Sequence, residues 1–306
     1  MIPFMYVFCL LAWGLNFIAV KIQGAPVSPA VSLTYRIIGS AIMFVILTLI
    51  VRPKGRPSFK DIGPLVTFGI CNFALSYLFL YYATIWSTAA LVTLIYSLKT
   101  VLTPVALRVF IGDRLHPRIL IGGLIGITGV CILIYPLLTE SLSLDNLKGI
   151  GIALLGTILT AIGDASSAVN ARNRINPLYA NSVGFIVASL LLLIICLFQG
   201  LKFTLPISVS YLSSLIYLTV IASFFAWFFY LKLIERIGAA ISSYMVALFP
   251  AVGGIASVCI GDSKPTIYLF LGCLFSCVGA AIALGFLFSI KRVKNTSTDK
   301  TTEQQT

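Results

Sequence analysis

Lys99 and Asp164 are the residues of this chain best placed to do chemistry. Lys99 stands in TLIYSLKTVLTPVAL (93–107) and Asp164 in TILTAIGDASSAV (157–169), both otherwise uncharged. A lysine in such a setting can receive an anionic group or, desolvated and partly neutral, move a proton. An aspartate there can bind an ammonium or carry a coupling proton. A third possibility is an internal ion pair between the two that only holds helices together, and the sequence leaves all three open. Each charge has polar neighbours on its own helix face. Tyr96 and Thr103 lie at i−3 and i+4 from Lys99, while Thr157, Thr160, Asp164 and Ser167 are three and four apart.

These positions acquire meaning from the elements that carry them. A helix needs about 20 residues to cross the hydrocarbon core of a bilayer. Uncharged runs predict spans at Pro3–Val20, Ile119–Leu138, Val209–Leu231, Ile237–Gly261 and Pro265–Ile290, with another inside Ile175–Leu201. Ala30–Val51 is a further span, interrupted by Arg36, which is expected to snorkel towards the interface in a structural role. Residues 62–108 are long enough for two helices joined near Trp86-Ser87-Thr88. Lys99 then lies roughly 16 Å along the second of them, near the midplane. Gly149–Ala171 makes one span only with Asp164 inside it. The total is ten.

Composition points the same way. The 306 residues are 59% hydrophobic and 10% charged, with mean hydropathy +1.05. Soluble domains carry roughly 25% charged residues, so lipid is the expected surroundings. The net charge of +12 does not form a nucleic-acid-binding face, because its members are short punctuation between apolar runs. No Gly-Lys-Ser/Thr phosphate loop is present, the single His116 excludes a histidine cluster, and none of the seven cysteines forms Cys-x-x-Cys. Neither metal nor cofactor is expected, with proton coupling left open. The N-terminus reads as a retained helix, not a signal peptide.

With ten helices, fifteen Lys and Arg residues from Arg52 to Lys300 fall on the side of both termini. Lys21, Lys148, Lys202 and Lys264 fall on the other, so both termini are expected in the cytoplasm. The chain also repeats itself. Gly112-Asp113 recurs as Gly261-Asp262, Pro29 as Pro177, and Ala89-Ala90 as Ala239-Ala240, at spacings of 148 to 150. Five helices per repeat, an odd number, make the second copy enter from the opposite face, and inverted repeats of this kind hold a substrate near the midplane. The expected organisation is a first five-helix repeat over 1–138, a second over 139–290, and a disordered cytoplasmic tail over 291–306.

LAWGLNFIAVK (11–21), FIGDRLHPRILIGGLIGITGV (110–130) and IERIGAAISSYMVALFPAVGGIASVCIGD (234–262) resemble the EamA-type permeases of the drug/metabolite transporter superfamily. The resemblance covers all but the tail. It implies an all-α integral membrane protein of ten helices, built as two inverted five-helix repeats around a central cavity. It also implies export or exchange of amino acids, other small metabolites or drugs. Where such permeases commonly carry proline or glutamine in the fourth helix, this chain has Lys99-Thr100.

The expected protein is thus a non-enzymatic, secondary-active carrier of a small polar metabolite in the cytoplasmic (inner) membrane of a bacterium, as monomer or homodimer. Its expected binding residues are Lys99, Asp164, Asn16, Asn72, Tyr96, Thr103, Ser167, Trp13, Tyr77 and Trp227, with Ser76 beside them and Tyr81 and Tyr230 as possible aromatic lining. Asn16 corresponds to Asp164 at the 148 spacing. Pro104, Pro250 and Gly253 are the expected hinge positions, since proline breaks the helical ladder, and Gly122-xxx-Gly126 is an expected close helix contact. Uptake of an anionic or nucleotide-like compound, multidrug export, a channel and a membrane-embedded enzyme are the competing readings.

Overall fold

The computed structural model describes residues 1–112, 117–140, 144–237 and 242–283. Asp113 of the first Gly-Asp pair, Ala239-Ala240 and the tail from 291 lie outside the described residues. Eight helices are long and apolar enough to cross a membrane. They are α1 (Ile2–Gln23), α2 (Pro29–Val51), α3 (Phe59–Trp86), α4 (Ala89–Ile111), α5 (Pro117–Glu140), α6 (Leu144–Arg172), α7 (Pro177–Phe198) and α8 (Val209–Ile237). Two shorter apolar helices follow, α9 (Phe249–Cys259) and α10 (Ile267–Ala283). Most extend a few residues past the uncharged runs, because charged end residues remain helical.

Local chemistry sets the boundaries. Pro29 and Pro177 sit in the first turns of α2 and α7, where a missing N–H leaves no bond unmade. Thr88, Asn176 and Ser208 cap α4, α7 and α8 by accepting from backbone N–H groups of the first turn. Gly112 and Gly261 end α4 and α9 at φ +80° and +74°, a backbone shape that favours glycine. Their 149-residue separation is that of the repeat.

The helices are irregular at particular places. α1 has a single-residue interruption at Leu15, immediately before Asn16, and α4 has one at Leu98, immediately before Lys99. Within α3 the segment Gly69–Leu75 is wound as π-helix, and within α8 so is Tyr217–Phe225. Those wide segments begin 148 residues apart. Ser243–Leu248 is a 3-10 turn leading into α9.

Packing follows the repeat as well. α2 packs on α7, α4 on α9 and α5 on α10, so these helices meet their own counterparts. α3 packs on α6 and α1 on α8, which exchange under the same correspondence. The outer faces are apolar: Ile42, Ile46, Leu49 and Ile50 of α2 and Leu190, Ile194 and Leu197 of α7 are exposed. Asn16, Arg36, Asn72, Lys99 and Asp164 are buried. That arrangement inverts the pattern of a water-soluble fold and suits lipid on the outside.

The Gly122–Gly126 contact is borne out between α5 and α10. A Cβ at Gly279 would lie 2.5 Å from the carbonyl oxygen of Gly122 and from the amide nitrogen of Gly126. Gly279→Ala is therefore expected to push the two helices apart, at about 1–3 kcal/mol. A lower melting temperature of the detergent-solubilised protein would register it; an unchanged one would mean that the helices do not pack this closely.

Candidate functional site

The Lys99 ammonium lies 3.0 Å from Asp164 Oδ2, with the two side chains 1% and 3% exposed. The lysine begins the second half of α4 after Leu98, and the aspartate lies in α6. The carboxylate is held on both oxygens: Thr103 Oγ1 donates to Oδ2 at 3.1 Å, and Asn72 Nδ2 faces Oδ1 at 3.4 Å. Asn72 belongs to the π-wound part of α3. The Ser76 and Thr160 hydroxyls are bonded to each other beside it. Lys99 also faces the rings of Tyr96 and Tyr230, each centred 5.5 Å from Nζ. A buried ion pair is tolerated only when its remaining bonding capacity is filled, and here side chains of α3, α4 and α8 contribute to filling it.

Aromatic groups continue from this pair. Trp13 lies 4.9 Å from Tyr230 and 5.1 Å from Trp227, centre to centre, and Tyr96 stacks on Phe249. Trp227 Nε1 donates to the Tyr77 hydroxyl at 2.8 Å, and Trp13 Nε1 to the Ala222 carbonyl at 2.8 Å. Lys99, Asp164, Asn72, Tyr96, Thr103, Trp13, Tyr77 and Trp227 are therefore one connected cluster.

Asn16 stands at its far side, with Arg36. The expectation that Arg36 snorkels to the interface is overturned: the side chain is fully buried. Nε donates to Ser223 Oγ at 2.8 Å, Nη2 to Asn16 Oδ1 at 2.9 Å, and Nη1 to the Tyr81 hydroxyl at 3.3 Å. Arg36 lies only seven residues into α2, but these acceptors from α1, α3 and α8 draw it inward.

Ser167 lies apart from the pair, one turn along α6. It lines a cavity of about 940 Å³ together with Asn170, Lys54, Arg172, Arg174 and Glu235. That cavity opens where α4, α6 and α8 end. The Ser167 hydroxyl and both polar atoms of the Asn170 amide are buried without a described partner. Asn170 extends the α6 stripe by three more residues; the spacing that found Ser167 could have found it too.

The opposite ends of the helices are tied together. Lys21 Nζ lies 3.1 Å from Asp262 Oδ1 and donates to the carbonyls of Ser87 at 2.6 Å and Thr84 at 3.2 Å. Asp262 Oδ2 accepts from the Ala89 amide at 2.7 Å and from Ser257 Oγ at 3.0 Å. The repeated Gly-Asp motif thus joins α1, α3, α4 and α9.

The irregular turns do not sit on the expected hinge prolines themselves. Pro104 lies inside the regular half-helix Lys99–Ile111, and the irregular turn of α4 is six residues earlier, at Leu98. Pro250 is in the first turn of α9, a position that accepts proline without breaking anything. Gly253 is a packing point, where a Cβ would come within 2.8 Å of the Thr93 side chain.

Crossing helices with an apolar exterior and a buried polar cluster define a multi-pass membrane protein. The EamA-like transporter family matches residues 2–135 and again 147–285. The chain belongs to that family and is a membrane transporter of small molecules. An uncharacterized transporter of Archaeoglobus fulgidus is 20% identical over 244 residues, covering 80% of this chain and 84% of that protein. A solved protein crystal structure matches 92% of this chain and 96% of its own at TM-score 0.66 and 18% identity, a likeness of fold.

Proposed function

We propose that the chain is a secondary-active carrier that exports or exchanges a small polar metabolite, an amino acid or related compound, by alternating access around the Lys99–Asp164 cluster. The observation that carries this reading is the buried pair itself, held by side chains of α3, α4 and α8 at the centre of the packed halves. Charged groups inside membrane spans are costly, roughly 2.5–3.5 kcal/mol at the centre of a helix, and usually mark a transport pathway. In this reading α9 and α10 also cross, giving ten spans in two inverted repeats of 1–138 and 139–290. Both termini face the cytoplasm of a bacterium, whose inner membrane holds the protein as monomer or homodimer.

The two ends of the bundle support the mechanism. The basic end carries the 940 Å³ cavity, and unpartnered Ser167 and Asn170 lead from it along α6 towards Asp164. At the other end Lys21 and Asp262 pair. A cavity at one end and a tie at the other suit a carrier that rests open on one side.

The test is counterflow in proteoliposomes loaded with amino acids, nucleosides or organic anions, comparing wild type with Lys99→Gln. One substrate class is expected to exchange and to be lost in the variant. Equal exchange by both proteins would leave Lys99 a structural residue, and flux that neither saturates nor responds to trans substrate would identify a pore.

A further inference from the structure

The polar position shared by the two halves serves a second buried cation. Asn16 and Asp164 lie 148 residues apart, and each accepts from a basic side chain: Asp164 from Lys99 at 3.0 Å, Asn16 from Arg36 at 2.9 Å. The first cluster is balanced in charge. The second is not, because an amide is neutral and the remaining acceptors, Ser223 and Tyr81, are hydroxyls. Among the described residues no carboxylate lies within ion-pair distance of Arg36; Asp164 and Asp262 are taken by Lys99 and Lys21. A guanidinium has five N–H donors, and these bonds use three. The Tyr77 ring, 4.6 Å from Cζ, offsets the charge only in part. A charge this deeply buried is strongly unfavourable until something negative meets it.

We propose that Arg36 is the anion site of the carrier and receives a carboxylate, so that the substrate class is organic acids, amino acids included. The inference rests on the carrier reading and adds to it where the negative group sits. The two uncommitted N–H groups of a planar fork suit the two oxygens of one carboxylate. Trp227 links this site to the Lys99 cluster, through its bond to Tyr77 and its ring contact with Tyr230. The body of the acid would therefore lie against aromatic faces. The repeat makes the logic plain: in one half the protein supplies the counter-charge, and in the other the cargo does.

The discriminating variant is Asn16→Asp, which is the same size and places a carboxylate of the protein's own on Arg36. Thermal unfolding of the full chain in detergent, at constant ionic strength, would be titrated with acetate, benzoate and glutamate, with benzamide as uncharged control. A ligand that binds only the folded state raises the melting temperature. At least one carboxylate is expected to stabilise wild type while benzamide does not. Asn16→Asp is expected to melt higher than wild type without ligand and to lose roughly tenfold or more in carboxylate affinity. Arg36→Gln, where it folds, is expected to lose the response as well. The proposal is overturned if no carboxylate stabilises wild type, if benzamide acts as benzoate does, or if Asn16→Asp keeps the full response. Because binding is read without transport, the two readings fail separately. Arg36-dependent binding without counterflow would sink the carrier, and undiminished counterflow of an acid by Asn16→Asp would sink only the anion site.

Discussion

Lys99→Met alone is expected to destabilise the detergent-solubilised protein by about 3–5 kcal/mol, the usual cost of leaving one member of a buried ion pair without its partner. Asp164 would remain buried without its counter-ion, with only Thr103 and Asn72 to hold it. Adding Asp164→Asn removes the orphaned carboxyl group yet keeps an oxygen for Thr103, so the double variant is expected to recover most of the loss. Counterflow then separates the two roles of the pair. A double variant that melts near wild type but carries nothing places the pair in the transport site. One that melts and carries like wild type reduces the pair to a fastener between α4 and α6.

Lys21→Met is expected to open the opposite end of the bundle. All three ammonium protons have acceptors there: Asp262, Ser87 and Thr84. The lysine is 27% exposed, so water screens part of the interaction. Loss of charge-assisted bonds on this scale still corresponds to about a tenfold change in the balance between states. Ile18, buried one turn before Lys21, provides the probe. In a cysteine-free background, Ile18→Cys is expected to react about tenfold faster with a membrane-impermeant maleimide once Lys21 is Met. Asp262→Asn is expected to act in the same direction but less, since an amide oxygen can still accept from Ala89. Unchanged labelling in both variants would show that the contact does not govern access.

What the sequence disclosed was whatever depends on spacing along one helix. The Lys99 and Asp164 faces and the long spans follow from counting, and so does Asn16 as the counterpart of Asp164. Partners on other helices do not. Nothing local tells Lys99 that Asp164, sixty-five residues away, will meet it. Arg36 was misjudged differently: Ser32 and Ser40 stand four residues to either side on its own face of α2, a buried polar stripe that counting could have found, while its acceptors come from α1, α3 and α8. The interruption at Leu98 was hidden as well, because proline drew attention to Pro104, where the helix tolerates it. The π-wound segments carry no residue pattern that distinguishes them from ordinary apolar helix.

Those two segments have a mechanical consequence. A π-turn holds about one residue more than an α-turn, and such turns recur at functional sites. Expelling that residue would swing everything beyond it by roughly 100° about the helix axis. Asn72 sits in one segment and touches Asp164; Ser223 sits in the other and touches Arg36. Each segment thus holds a side chain against one of the two buried charges, at corresponding places in the two halves. A one-residue tightening of either would carry its contact off that charge while leaving the rest of the helix wound.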